Sequence, residues 1–292
     1  MIRHLLAATD LSASAAKAAD RAFLLASSLA AELTLIHALD IDRFPLWSRL
    51  TGQHSSTEAL QDQARASLND LACAPGRKLS ARIVIETGNP AQTITAWTQA
   101  REVDLLVLGA QGGGLITPHR LGATASRLLR KSPCPVLVVK QPAQHAYRHA
   151  LTAIDFSPVS VNAIRLTRAL APAARLTLIH VFEVPFEGKL QFAGVSEEMI
   201  HRYRIEARAE ALRQLHETAE AAGLRPDEYE VVVEHGDRVR QILNHERVCD
   251  LVVTGKHGAT LSEELLLGSV TLHLLSETQA DVLTVIDPRT AR

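Results

Sequence analysis

Aromatic side chains make up only 4% of this chain, and its 292 residues include just three cysteines and two tryptophans. Cys73, Cys134 and Cys249 show neither Cys-x-x-Cys nor Cys/His ligand spacing, which excludes a zinc ribbon, a thioredoxin-like redox motif and a disulfide framework. They read as free, buried or partly buried thiols in a reducing compartment. An excess of one charge is missing too. With 31 basic and 32 acidic residues the net charge is −1, so no nucleic-acid or anionic-membrane partner is expected. No run approaches the roughly 18 uninterrupted apolar residues of a spanning helix, and Met1-Ile2-Arg3-His4 opens directly into a strand, so the expected location is cytoplasmic. A Gly-x-x-x-x-Gly-Lys-Ser/Thr loop, a nucleophile elbow and a zinc-protease pattern are all lacking, and no side chain stands out as a general base or metal ligand. What the chemistry leaves is binding.

The hydrophobic content is 47%, and much of it is written twice. Ala7-Ala8-Thr9-Asp10-Leu11-Ser12 recurs as Thr152-Ala153-Ile154-Asp155-Phe156-Ser157, the strand ending at His37 recurs at His180, and the one ending at Gly109 recurs at Gly255. The offsets are 155 − 10 = 145, 180 − 37 = 143 and 255 − 109 = 146, a domain-sized period that marks a duplication. Domains are expected at 1–141 and 147–292, joined by a short polar linker.

Within each half, short β-branched runs alternate with longer helical patterns, the signature of a parallel sheet with crossover helices. Strands are predicted near 3–9, 33–38, 81–87, 103–108 and 135–140, then 149–154, 176–182, 229–235, 249–254 and 281–286. Helices are predicted near 13–30, 57–73, 90–101 and 122–130, then 158–171, 196–222, 238–247 and 268–276. Each half is then an α/β unit with an open five-stranded parallel sheet flanked by helices.

In such a sheet ligands sit beyond the carboxyl ends of the strands. Asp155, Val181 and Gly255 fall on that edge, and Gly268-Ser269-Val270-Thr271 opens a helix beside it. Gly255 and Gly258 let the backbone approach a ligand, while the helix start offers amide hydrogens at its positive end, so a phosphate chain is the natural occupant. Ser157 is expected to cap the following helix and leave the Asp155 carboxylate for a ribose or base. His37 and His180, inside apolar strand ends, read as satisfied core histidines.

The run Gly255-Lys256-His257-Gly258, nine residues, then Gly268-Ser269-Val270-Thr271, with Asp155-Phe156-Ser157 and Gly236-Asp237-Arg238-Val239-Arg240-Gln241-Ile242, resembles the universal stress protein family in its tandem two-domain form. The resemblance covers nearly the whole chain and implies two Rossmann-like, adenine nucleotide alpha hydrolase-like domains of strand order 3-2-1-4-5, paired through their last strands about a pseudo-twofold. Residues 136–140 and 282–286 should therefore meet. It implies ATP or ADP as ligand, with or without Mg2+. Ala153, Ile154 and Asp155 would lie along the adenosine moiety, the backbone at Val181 would lie against adenine, and Thr254, Gly255, Lys256, His257, Gly258, Gly268, Ser269, Val270 and Thr271 would hold ribose and phosphates. A stress-response or signalling module follows by the same likeness; protein partners are unknown, and a homodimer is left open.

The first half departs from that pattern. Its equivalent residues are Asp10, Ala38, Gly109, Gly112 and Gly122-Ala123-Thr124-Ala125, with alanines where the second half has Ser269 and Thr271, and Thr124 one position off. Losing hydroxyl bonds to a charged group weakens binding about ten- to a hundredfold, so the second half is expected to be the principal nucleotide site. Arg120, Glu263 and Glu264 in the intervening loops, and the aromatic segments around Phe44 and Trp47 and around Phe186 and Phe192, read as solvated charges and as packing over the sheet edge. Two other readings compete with nucleotide signalling: a slow ATPase or adenylyl or phosphoryl transferase, and a nucleotide-independent scaffold holding an apolar ligand.

Overall fold

The computed structural model describes residues 2–40, 57–74, 77, 79–112, 121–184, 195–256 and 267–287. Contacts divide the chain into one unit of Met1–Ala146 with Asp281–Arg292, and a second of Tyr147–Ala280.

In the first unit β1 (His4–Ala8), β2 (Glu32–Leu39), β3 (Arg82–Thr87), β4 (Leu105–Gly109) and β5 (Val136–Val139) alternate with α1 (Ala13–Leu29), α2 (Thr57–Ala72), α3 (Pro90–Ala100) and α4 (Ala123–Lys131). The strands lie in the order β3-β2-β1-β4-β5, all parallel, as predicted for that half. The central strands read as unbroken apolar runs because helices cover both faces: Leu5, Leu6, Leu105, Leu106 and Val107 are all buried. α1 begins where Ser12 Oγ accepts the Ala15 amide and ends at Ala30 in the left-handed region (φ 51°), and its alanine face lies buried on the sheet.

The second unit holds β6 (His149–Ala153), β7 (Arg175–Phe182), β8 (Glu230–His235) and β9 (Leu251–Gly255), with α5 (Pro158–Leu170), α6 (Glu197–Ala221), α7 (Arg238–Glu246) and α8 (Ser269–Glu277). Its described strands are parallel in the order β8-β7-β6-β9. The predicted elements are all present, with ends shifted by a few residues at most.

One detail departs from two like five-stranded sheets. β10 (Asp281–Val285) groups with the first unit, where it runs antiparallel to β5 with Val282, Leu283 and Thr284 opposite Val138, Leu137 and Val136. The expected meeting of the two last strands is thus present, and it makes the first unit six-stranded. The physical anchor is Asp281, which is fully buried. Its Oδ1 accepts the amides of Lys140 at 2.8 Å and Gln141 at 3.0 Å, and its Oδ2 lies 3.2 Å from Nε of the buried Arg21 on α1. Arg21 also donates to the His145 carbonyl at 2.8 Å. In the second unit another buried carboxylate, Glu246, accepts the amides of Gln279 and Ala280 just ahead of that strand, at 2.6 and 2.8 Å. Buried charges persist only when bonded in this way.

The cysteines are free thiols, as expected, but Cys73 is exposed and not buried or partly buried. Burial pushes Cys134 and Cys249 up to about 11, so both stay protonated and poorly nucleophilic at neutral pH. No described helix is long and apolar enough to cross a membrane.

Candidate functional site

Three parallel strands of the second unit end at one edge, and their register fixes what they present there. β6 leads from Ala153 into Ile154, whose amide bonds the Ile179 carbonyl at 2.8 Å, and then into Asp155. On β7, Val181 is buried in a cluster with Leu151, Ile179, Val252 and Leu274, so it offers only backbone to the edge. β9 brings Thr254, Gly255 and Lys256, the last only 7% exposed.

The helix start is tied back to that strand. The Gly268 amide donates to the Lys256 carbonyl at 2.9 Å, closing the mouth of the intervening loop. Thr271 is buried; its hydroxyl donates to the Gly255 carbonyl at 2.8 Å and lies 3.2 Å from Thr254 Oγ1. Both groups had been expected on phosphate, yet each joins α8 to β9 instead, because a parallel strand and its crossover helix pack closely here. The remaining donors are the amides of Ser269, Val270 and Thr271. Their N-cap is Gly268, which has no side chain to occupy them, and Ser269 is exposed. His257 and Gly258, with Glu263 and Glu264, lie outside the described residues.

At Asp155 the division of labour is the reverse of the one predicted. The Ser157 hydroxyl makes no capping bond and is buried without a partner among the described residues. The aspartate turns the chain itself: Oδ1 accepts the Ser157 amide at 3.0 Å and the Ser160 hydroxyl at 2.9 Å. The cause is Phe156, held at φ 61°, which folds the Ser157 amide back under the carboxylate. Such a conformation is costly for a bulky residue and is found where the surroundings enforce it. The Phe156 ring is held 4.3 Å, centroid to centroid, from that of His180. Ser160 was not singled out in the sequence; a serine five places after the aspartate was its signal.

His180 is the core histidine expected. Its Nδ1–H donates to the Ile154 carbonyl at 2.7 Å, as His37 does to Thr9 at 2.8 Å in the first unit. Burial lowers the His180 pKa, and the charge of Arg238 adds to this, against the Ile154 bond and Asp155. His235, whose ring lies 5.3 Å from Phe182, is lowered as well, chiefly by burial. A histidine kept neutral in the fold takes up a proton more readily when unfolded, so the unfolded chain binds more protons just below the ordinary value of about 6.5. Stability is therefore complete above that value and falls as the pH drops through it. Urea unfolding at pH 7.5 and 5.5 should show this loss, and His180→Gln should reduce the difference between the two.

In the first unit Asp10, Ala38, Gly109 and Gly122 occupy matching places, with one difference of packing. A Cβ on Gly109 would stand 2.8 Å from Ser14 Oγ, and one on Gly112 would stand 2.7 Å from Asp10 Oδ2. The Gln111 amide donates to Ser14 Oγ at 3.3 Å. Gly122 caps α4 and spends its amide on Ala110, so the helix starts in step with α8 and Thr124 corresponds to Val270. The strand ends thus carry the same scaffold in both units, with the loop after β4 seated against α1. Arg120, Phe44 and Trp47 lie outside the described residues. Among the described residues no cluster of His, Cys, Asp or Glu could hold a metal ion.

A duplicated α/β chain with Asp, Gly and a helix start at its strand ends defines a tandem Rossmann-like protein. The universal stress protein family model matches residues 1–140 and again 146–285. A universal stress protein of Mycobacterium tuberculosis is 27% identical over 268 residues, 86% of each chain. One of Bacillus subtilis is 30% identical over 138 residues, 45% of this chain and 93% of its own. The crystal structure of a universal stress protein from Archaeoglobus fulgidus superposes with a TM-score of 0.71 over 97% of this chain and 98% of that one; at 18% identity the likeness is one of fold. The chain belongs to the universal stress protein family.

Proposed function

We propose that the protein is a nucleotide-binding stress or signalling module that takes ATP or ADP in its second unit, and that the first unit is weak or empty. The observation that carries this reading is the convergence of Asp155, the Val181 backbone, Gly255 and the uncapped start of α8 on one edge of the sheet. The α8 amides suit a phosphate chain, and the aspartate suits sugar hydroxyls. Mg2+ would be held by the phosphates and water, since no protein cage for it stands among the described residues. Bound nucleotide would bias a surface read by protein partners, with binding rather than turnover as the activity. The test is calorimetric titration of nucleotide-stripped protein with ATP and Mg2+. One site per chain, lost in a Gly268→Ala, Ser269→Ala variant, is the expected result; no binding would sink the reading, and sustained turnover would replace it with the transferase.

A further inference from the structure

The two aspartates at the ends of β1 and β6 are held differently. Asp155 carries both of its bonds on Oδ1, from the Ser157 amide and the Ser160 hydroxyl, while its own amide reaches Ser160 Oγ at 3.4 Å. Ser160 is 3% exposed, whereas Asp155 is exposed, and among the described residues no hydrogen bond reaches Oδ2. A carboxylate pinned through one oxygen cannot turn freely about its last torsion, so the other oxygen faces one way. In the first unit the residue five places on is Ala15, which has no hydroxyl to give. Asp10 Oδ1 accepts the Ser12 amide at 3.0 Å, and Gly112 packs against Oδ2.

We propose that Ser160 is a positioning residue for nucleotide: it sets Asp155 so that Oδ2 meets the ribose hydroxyls, and the first unit, with Ala15 where the second has Ser160, lacks this arrangement. The inference rests on the nucleotide reading above and adds a cause for the preference between units besides the missing hydroxyl at Ala123. Hydroxyl-to-carboxylate bonds are charge-assisted, and a site built to bond a hydroxyl rejects an analogue lacking it. Discrimination between ATP and 2′,3′-dideoxy-ATP therefore reports on Asp155 in a way that overall stability does not.

The experiment measures both dissociation constants on stripped full-length protein, wild type and Ser160→Ala, with Ser160→Thr to restore the hydroxyl and Asp155→Asn as a second variant of nearly native size. Wild type should favour ATP over the dideoxy compound by about tenfold or more. Ser160→Ala should bring the ratio down severalfold while leaving the dideoxy-ATP constant within about twofold. Ser160→Thr should recover the ratio, and Asp155→Asn should abolish it. Equal weakening of both nucleotides by Ser160→Ala would mean a purely structural serine and overturn the proposal alone. Absence of any nucleotide binding in wild type would overturn the parent reading, and this inference with it.

Discussion

Replacing Asp281 with alanine should destabilise the protein by about 3–5 kcal/mol, the cost of stranding one partner of a buried ion pair. The magnitude follows from what is left behind. Arg21, 2% exposed, loses its carboxylate, and the amides of Lys140 and Gln141 lose their acceptor. Removing the arginine as well relieves the isolated charge but not the amides, so the double variant Arg21→Ala, Asp281→Ala should still fall short of wild type by about 1–3 kcal/mol. Urea unfolding of wild type and the two variants measures both quantities. Hydrogen exchange adds a local readout: the β5 amides facing β10 should lose protection before those of β1. A deficit below about 1 kcal/mol for Asp281→Ala would show that the β5–β10 ladder and its apolar contacts hold the strand without the ion pair.

Ser269→Asp is expected to move stability and nucleotide affinity in opposite directions. Ser269 is exposed and is the first residue of α8, where a carboxylate meets the positive end of the helix and contributes about 0.3–1 kcal/mol to stability. The same charge stands where the phosphates are proposed to lie. Two unit charges about 4 Å apart repel by about 4 kcal/mol at the effective dielectric of a protein surface, and roughly half of that already means more than tenfold in affinity. ATP binding should weaken at least a hundredfold at low salt, less at high salt, while the thermal midpoint holds or rises. Adenosine, which has no phosphate, should bind as before. Unchanged ATP affinity would place the phosphates elsewhere, and a fall in the midpoint would point to damage at the helix start.

The alternation of strands and helices was readable because each strand is a short apolar run and each helix a longer amphipathic one; the boundaries of β1 and α1 fall within a residue of those predicted. The repeat was readable because both copies keep their strand-end residues. What escaped prediction depended on backbone angles and neighbours. An Asp-x-Ser run does not reveal which side chain caps the helix: Leu11 and Phe156 both stand at a positive φ, yet Ser12 caps α1 while Ser157 makes no capping bond. Thr271 and the Gly268 amide were expected to face the ligand because their residue types suit phosphate; close packing of α8 on β9 turned them inward. Asp281 reads in the sequence only as the start of a strand, and its burial shows only when Arg21, 281 − 21 = 260 residues earlier, stands beside it.

That separation reaches into how the molecule is made. A ribosome releases the chain in order, and domains ordinarily collapse as they emerge. Here the half synthesised first stays one strand short until all of Tyr147–Ala280 has been translated. Until then β5 is an open sheet edge of Val136–Val139, the kind of surface on which nascent chains aggregate. The second half must therefore fold promptly enough to deliver β10, and a slow step there would leave the first half exposed for the same interval.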